Sequence, residues 1–375
     1  MTVGVGTVLT SVGMVLNAFA PTVEFLYFSH GIVVGIGYGL VMPAALGIFP
    51  LYINHNFALA NAIVRAGSGI GYLVFSLVMQ SLIDSYGWRG ACIVFAAIHA
   101  NMLIAAALFR PPNQAQGENN VGKETKEVSD CEFPVTSSEP ESRTVKKSWK
   151  IITLCDFSLF SEHPIFIAFC ISLFLAQGVG FYGSPTHLVA RAEKLQIGTS
   201  QDIAFQASVL GIGSLLGRVS VPLLLRLTSK CMTSLQLLGV AYCLAGVVDI
   251  LSASSNTYAL YTAFAFSLGY LSGVFFTLNT QVVKDMLGSA RVTAAVSLYA
   301  PFPAIGAMIG PPSAGLLYDV TGDYNYSFYF YGTSTLIAGT MLIICSLLKR
   351  KQPVAESTFD IILRAEVTSD KCTQT

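Results

Sequence analysis

Long apolar runs separated by short polar connections dominate the chain. A window of about 20 apolar residues, the length that spans roughly 30 Å of hydrocarbon, predicts about ten helices. They fall near 1–20, 24–50, 59–82, 88–109, 163–186, 203–225, 232–253, 257–281, 290–317 and 325–348. One connection is long: residues 110–162 are rich in Glu, Lys, Ser, Asn and Pro and lack apolar periodicity, a composition that predicts disorder. It divides an all-α, polytopic membrane protein into a 4 + 6 arrangement. The expected units are a four-helix N-terminal bundle over 1–109, a cytoplasmic loop over 110–162, a six-helix bundle over 163–348 and a cytoplasmic tail over 349–375.

Composition agrees with a chain solvated by lipid. Apolar residues make up 53% and charged residues 11%, against about 25% charged in soluble domains, and mean hydropathy is +0.62. The formal net charge is zero, which removes any bulk electrostatic case for nucleic acid. Lys and Arg set the orientation. The short connections carry Arg226, Lys230, Lys284, Arg291 and Lys349–Lys351 on the side of the long loop, and Arg89, Arg191 and Lys194 on the other. Both termini are therefore expected in the cytoplasm. No Lys or Arg precedes the first apolar run, so residues 1–20 do not read as a cleaved signal. The eight cysteines form no CxxC pair and no metal-ligand spacing with His, which reads as apolar filling or free thiols.

Two charges interrupt the apolar runs. Arg218 lies inside "DIAFQASVLGIGSLLGRVSVPLLLRL", residues 202–227. A charge within a membrane helix costs roughly 2.5–3.5 kcal/mol on insertion scales, so it marks a cavity, a partner or a ligand. A guanidinium matches a carboxylate bidentately. Arg218 is therefore the leading candidate for binding an organic anion, against an arginine bonded to backbone carbonyls. Ser214 sits one helical turn before it, on the same face. Arg65 is either a second substrate contact or a side chain snorkelling toward a helix end. Glycine-rich stretches at 31–39, 67–71, 211–217 and 306–315 favour close helix approach, and Pro311–Pro312 predict a kink that permits rocking. Asp319 and Asp323 bracket an expected turn, and His187 reads as a surface residue or a pH-sensitive gate.

Four passages together resemble the monocarboxylate transporter family of the major facilitator superfamily. They are "GIVVGIGYGLVMPAALGIFPLYI" (31–53), "ALANAIVRAGSGIG" (58–71), "YGWRGACIVFAAIHANMLIAAALFRP" (86–111) and "IGPPSAGLLYDVTGDYNYSFYFYG" (309–332). They look like the family's fourth, fifth, sixth and eleventh helices. Residues 3–20 look like its third, so the resemblance implies a twelve-helix fold of which the first two helices are not in this sequence. The family often has an Asp where this chain has Ser214, and basic residues where it has "NHNF" at 54–57. The resemblance places Tyr38, Phe181, Tyr182, Phe275, Phe276 and Asn279 on helices that line the superfamily's central cavity. It also implies a single-span immunoglobulin-like ancillary protein.

The expected function is secondary transport of a small organic anion, a monocarboxylate or an amino-acid-like solute. It would run across the plasma membrane by alternating access, without Asp-based proton coupling because Ser214 carries no proton. The other reading is a truncated, non-transporting relative that acts as a membrane interaction partner or is inactive. No catalytic residues, metal ligands or cofactor are expected: no arrangement of nucleophile, base or metal ligands stands out.

Overall fold

In the computed structural model, residues 2–52, 57–108, 157–197, 200–255, 257–288 and 291–350 are described, and they are almost wholly helical. The expected loop up to residue 156, most of the "NHNF" stretch and the tail beyond residue 350 lie outside them.

The first helix is α1, Thr2–Ala18. A short α2, Val23–Leu26, passes through a π-helical stretch, Tyr27–Val34, into α3, Gly35–Tyr52. Next come α4, Phe57–Ala100, and α5, Met102–Leu108. After the loop, α6 (Ser158–Glu162) and α7 (Pro164–Ser172) lead through a second π-helical stretch, Leu173–Phe181, to α8, Tyr182–Lys194. The remaining helices are α9 (Ser200–Thr228), α10 (Ser234–Ser252), α11 (Tyr258–Leu287), α12 (Val292–Tyr299), α13 (Pro301–Thr321) and α14 (Asn325–Arg350).

Among the described residues, eight stretches are long and apolar enough to cross a membrane, and Thr2–Ala18 is a shorter apolar helix. One of the eight, Phe57–Leu108, has 52 residues and doubles back. At Gly87, φ is 68° and ψ is 170°, a conformation open to glycine but not to L side chains. The rings of Phe75 and Phe95 lie 5.5 Å apart, whereas twenty residues of straight helix would separate them by about 30 Å. Counting that stretch as two crossings, and the first helix as one, recovers the ten passages expected from hydropathy.

Several boundaries differ from expectation for local reasons. Asp84, Ser85 and Tyr86 read as a loop but stay helical, with Gln80 donating to Asp84 Oδ1 one turn on at 3.0 Å. The long connection ends earlier than 162, since Ser158–Glu162 is a helix. The passage expected to stop at 186 continues to Lys194. Hydropathy loses it because it carries charge, yet Arg191 is buried and its guanidinium donates to the carbonyls of Ser252 and Ala253 at 2.7 and 2.6 Å. Pro311 and Pro312 lie inside α13 without breaking it, and Ala300, between α12 and α13, keeps helical dihedrals and its bond to the Val296 carbonyl at 3.1 Å. Asp323 accepts from the backbone N–H of Asn325 at 3.0 Å, at the start of α14.

Close glycine contacts hold the centre. On α9, a Cβ at Gly213 or Gly217 would strike the backbone of Phe266 and Tyr270 on α11; on α11, one at Gly269 or Gly273 would strike Leu210 and Ser214 on α9. Helices pack this closely in lipid only where side chains are absent. The first and last halves of the chain meet in the same manner, with Gly69 of α4 against Leu215 and Gly211 of α9 against Leu73. α9 is thus clamped between α4 and α11, and Arg218 lies on it.

Candidate functional site

Arg218 is 5% exposed. Its Nε donates to Ser214 Oγ at 3.2 Å and its Nη1 to the backbone carbonyl of Arg65, on the facing helix, at 3.0 Å. The guanidinium carbon stands 5.9 Å from the ring centre of Phe276, at the outer edge of a cation–π contact. Nη2 has no hydrogen-bond partner among the described residues. The expected carbonyl contact is present, but it occupies a single donor, so most of the fork remains free to bind.

Arg65 does not snorkel to a helix end. It is half-buried on α4 and reaches across to the other half of the chain. Its Nε donates to Asn61 Oδ1 at 3.3 Å, and its Nη2 donates to Thr280 Oγ1 on α11. Asn61 extends the same crossing, donating to the backbone carbonyl of Thr277 at 2.9 Å. Tyr299, at the end of α12, adjoins both Arg65 and Thr280. Tyr182 lies within electrostatic range of both arginines, and Tyr72 within range of Arg218.

The aromatic candidates converge on this pair. Phe181 meets Phe275 and Phe276 edge-on, with ring centres 5.5 and 5.2 Å away, and Phe276 lies 6.3 Å from Tyr182. Phe275 is fully buried and belongs to the core, while Tyr182 is 43% exposed. The π-helical stretch Leu173–Phe181 ends where Phe181 and Tyr182 enter the site. Such insertions recur at functional sites because they turn side chains off the regular helical register. Asn279 is buried beside Thr280, and its Oδ1 has no partner among the described residues.

Tyr38 stands apart from the arginines. Its hydroxyl bonds His99 Nε2 at 2.6 Å, and both line a cavity of about 710 Å³ together with Ser68, Tyr72 and Phe75. His187 is half-buried rather than on the surface and bonds the Tyr331 hydroxyl at 2.8 Å. Asn61, Thr280, Tyr299 and Tyr72 are the site neighbours that sequence reading misses. Of these, only Asn61 leaves a local signal, an i, i+4 spacing to Arg65.

The electrostatics are one-sided. Among the described residues, Asp249 is the only buried carboxylate, and it accepts from Ser184 at 2.7 Å rather than from an arginine. The ion pair Arg291–Glu162, at 2.7 Å, is exposed and belongs to other elements. The hydrogen-bond partners of Arg65 and Arg218 are thus hydroxyls, an amide and a carbonyl, and Phe276 lies beside Arg218. Chemically, such an arrangement can bind an anion.

Comparison with known proteins shows the family. A family model described as Major Facilitator Superfamily matches residues 1–248 and 231–361. The chain is 27% identical over 361 residues to monocarboxylate transporter 12 of Homo sapiens, covering 92% of this chain and 67% of that protein. It is 29% identical over 374 residues to monocarboxylate transporter 12 of Xenopus laevis, covering 96% and 78%. Against monocarboxylate transporter 1 of Bos taurus it is 29% identical over 360 residues, covering 91% and 70%. The crystal structure of the E. coli fucose:proton symporter superposes with a TM-score of 0.60 at 15% identity, covering 94% of this chain and 84% of that one.

Proposed function

We propose, from the premise that the chain belongs to the Major Facilitator Superfamily, that it is a secondary transporter of a small organic anion. The observation that carries this reading is Arg218, a buried guanidinium with only neutral partners, on a helix clamped between the two halves of the chain. The likeness to monocarboxylate transporters supports a carboxylate as the group it binds. The solute's carboxylate pairs with the free donors of Arg218, and its apolar body rests on Phe181, Tyr182 and Phe276. Rocking of the halves about α9 then exposes the site to either side of the membrane in turn.

Proton coupling through an acid beside Arg218 has no carrier here, because that position is Ser214. Facilitated movement of the anion follows. Uptake is expected to vary little with external pH and to survive a protonophore. We place the protein in the plasma membrane as a multi-pass chain with both termini cytoplasmic, and the resemblance to its relatives extends to a single-span immunoglobulin-like partner for delivery.

The test is uptake of labelled lactate, pyruvate and aromatic amino acids by cells with the chain at their surface, beside Arg218→Gln. Loss of about tenfold or more in the variant, which removes a charge-assisted contact, is the expected result. No uptake of any of these solutes despite surface delivery would instead favour a non-transporting membrane protein.

A further inference from the structure

The two arginines differ in what a substrate would meet. A single carboxylate on Arg218 leaves Arg65 with amide and hydroxyl partners but no counter-charge. Arg218 reaches the backbone carbonyl of Arg65 at 3.0 Å, so the two side chains are neighbours, and an anion that answers only one of them leaves a net cation in a low-dielectric site. That is costly, because a buried charge is tolerated when paired and expensive when not. Among the described residues, no carboxylate supplies the missing charge. Asp249 is engaged with Ser184, and Asp202 lies on the same helix as Arg218 but about 24 Å along it at 1.5 Å per residue.

We infer that the site is built for a dianion, a short dicarboxylate with one carboxylate on Arg218 and the other on Arg65. This rests on the transporter reading above and names its substrate class. The geometry suits it. Arg218 comes from the last half of the chain and Arg65 from the first, and the two meet through the Arg65 carbonyl. A ligand with two charged ends ties the halves together across that contact, whereas a monocarboxylate grips one side only. Thr280 and Tyr299 hold Arg65 in position by accepting from it as neutral groups, so they leave its charge for the ligand. A dianion also needs no accompanying proton, in keeping with Ser214.

The experiment is competition and uptake with matched acids in cells carrying the full chain at the surface. Succinate and succinamate have the same length and shape, and differ by one carboxylate replaced with a neutral amide. Succinate is expected to compete with a labelled substrate about tenfold or more better than succinamate. Arg65→Gln is expected to erase that ratio, and Arg65→Lys to retain it. The wild-type comparison stands alone if Arg65→Gln fails to reach the surface. Equal competition by the two acids overturns the inference. So does lactate uptake that depends on Arg218 but is indifferent to Arg65, which leaves the transporter reading intact. Lactate uptake that requires chloride assigns the second charge to an inorganic ion and also overturns it. Transport of neither mono- nor dicarboxylate overturns both readings together.

Discussion

At the scale of single residues, the contact between Ser214 and Arg218 controls how much of the guanidinium is available. The 3.2 Å bond from Nε to a hydroxyl holds the side chain without neutralising it. Ser214→Asp would place a carboxylate one turn away on the same face, where it competes with any anionic ligand. Anion uptake at neutral pH is expected to fall about tenfold or more, while Ser214→Asn, uncharged and similar in size, keeps most of it. Acid should partly restore the Asp variant, because protonation removes the competing charge; uptake measured across external pH reads this out. Arg191 offers the opposite case. It is buried, its fork closes on the carbonyls of Ser252 and Ala253, and the rings of Tyr261 and Phe328 lie 5.6 and 5.5 Å away. Arg191→Gln is expected to cost about 2 kcal/mol or more through unsatisfied carbonyls. It should lower the melting temperature in detergent and leave the preference among anions unchanged; a changed preference would tie Arg191 to the site. A single charge in an apolar run is legible from sequence, and so Arg218 stands out. Arg65 stands out too, but its pairing does not, since Arg218 meets its carbonyl from 153 residues away.

At the scale of helices, absent side chains set the geometry. The glycines of α9 and α11 place those backbones in contact, and the position of Arg218 follows from that approach. Gly273→Val would push a branched side chain into the carbonyl of Ser214, with an overpacking cost of about 1–3 kcal/mol. The expected result is loss of surface protein or a lower melting temperature. Gly39→Ala is the control, because nothing lies within 4 Å of an added Cβ there; it is expected to be neutral or stabilising by about 0.5–1 kcal/mol. Equal behaviour of the two variants would remove the seam from the account. Hydropathy reads the crossings well, since bilayer thickness fixes their length. It is blind to the π-helical stretches at Tyr27–Val34 and Leu173–Phe181, because one extra residue per turn leaves composition unchanged. It also ends α8 too early, since the buried Arg191 looks like a residue for water until its carbonyl partners are seen.

At the scale of the whole molecule, the two halves touch along the length of α4. Near one end, Lys284 Nζ of α11 lies 4.0 Å from the ring centre of Phe57, and Asn61 and Arg65 follow with their bonds to Thr277 and Thr280. Toward the other end, Ser76 Oγ meets Ser208 Oγ of α9 at 2.9 Å. These polar contacts are few, and the glycine contacts between them at Gly69 and Gly211 have no long side chains to interlock. A seam of that kind separates at modest cost, which alternating access demands. Closing it covalently should therefore arrest transport. With the two hydroxyl oxygens 2.9 Å apart, Ser76 and Ser208 are the positions at which to place a cross-link. In a background whose own cysteines are replaced, Ser76→Cys with Ser208→Cys is expected to lose uptake about tenfold or more on oxidation and to regain it with reductant. Each single variant should be insensitive to both. Binding of a competing anion should survive the cross-link, because the arginines stay in place while only the rocking is blocked. Full uptake with the cross-link formed would mean that the halves do not part along α4 and α9, and the moving boundary would have to be sought elsewhere in the bundle.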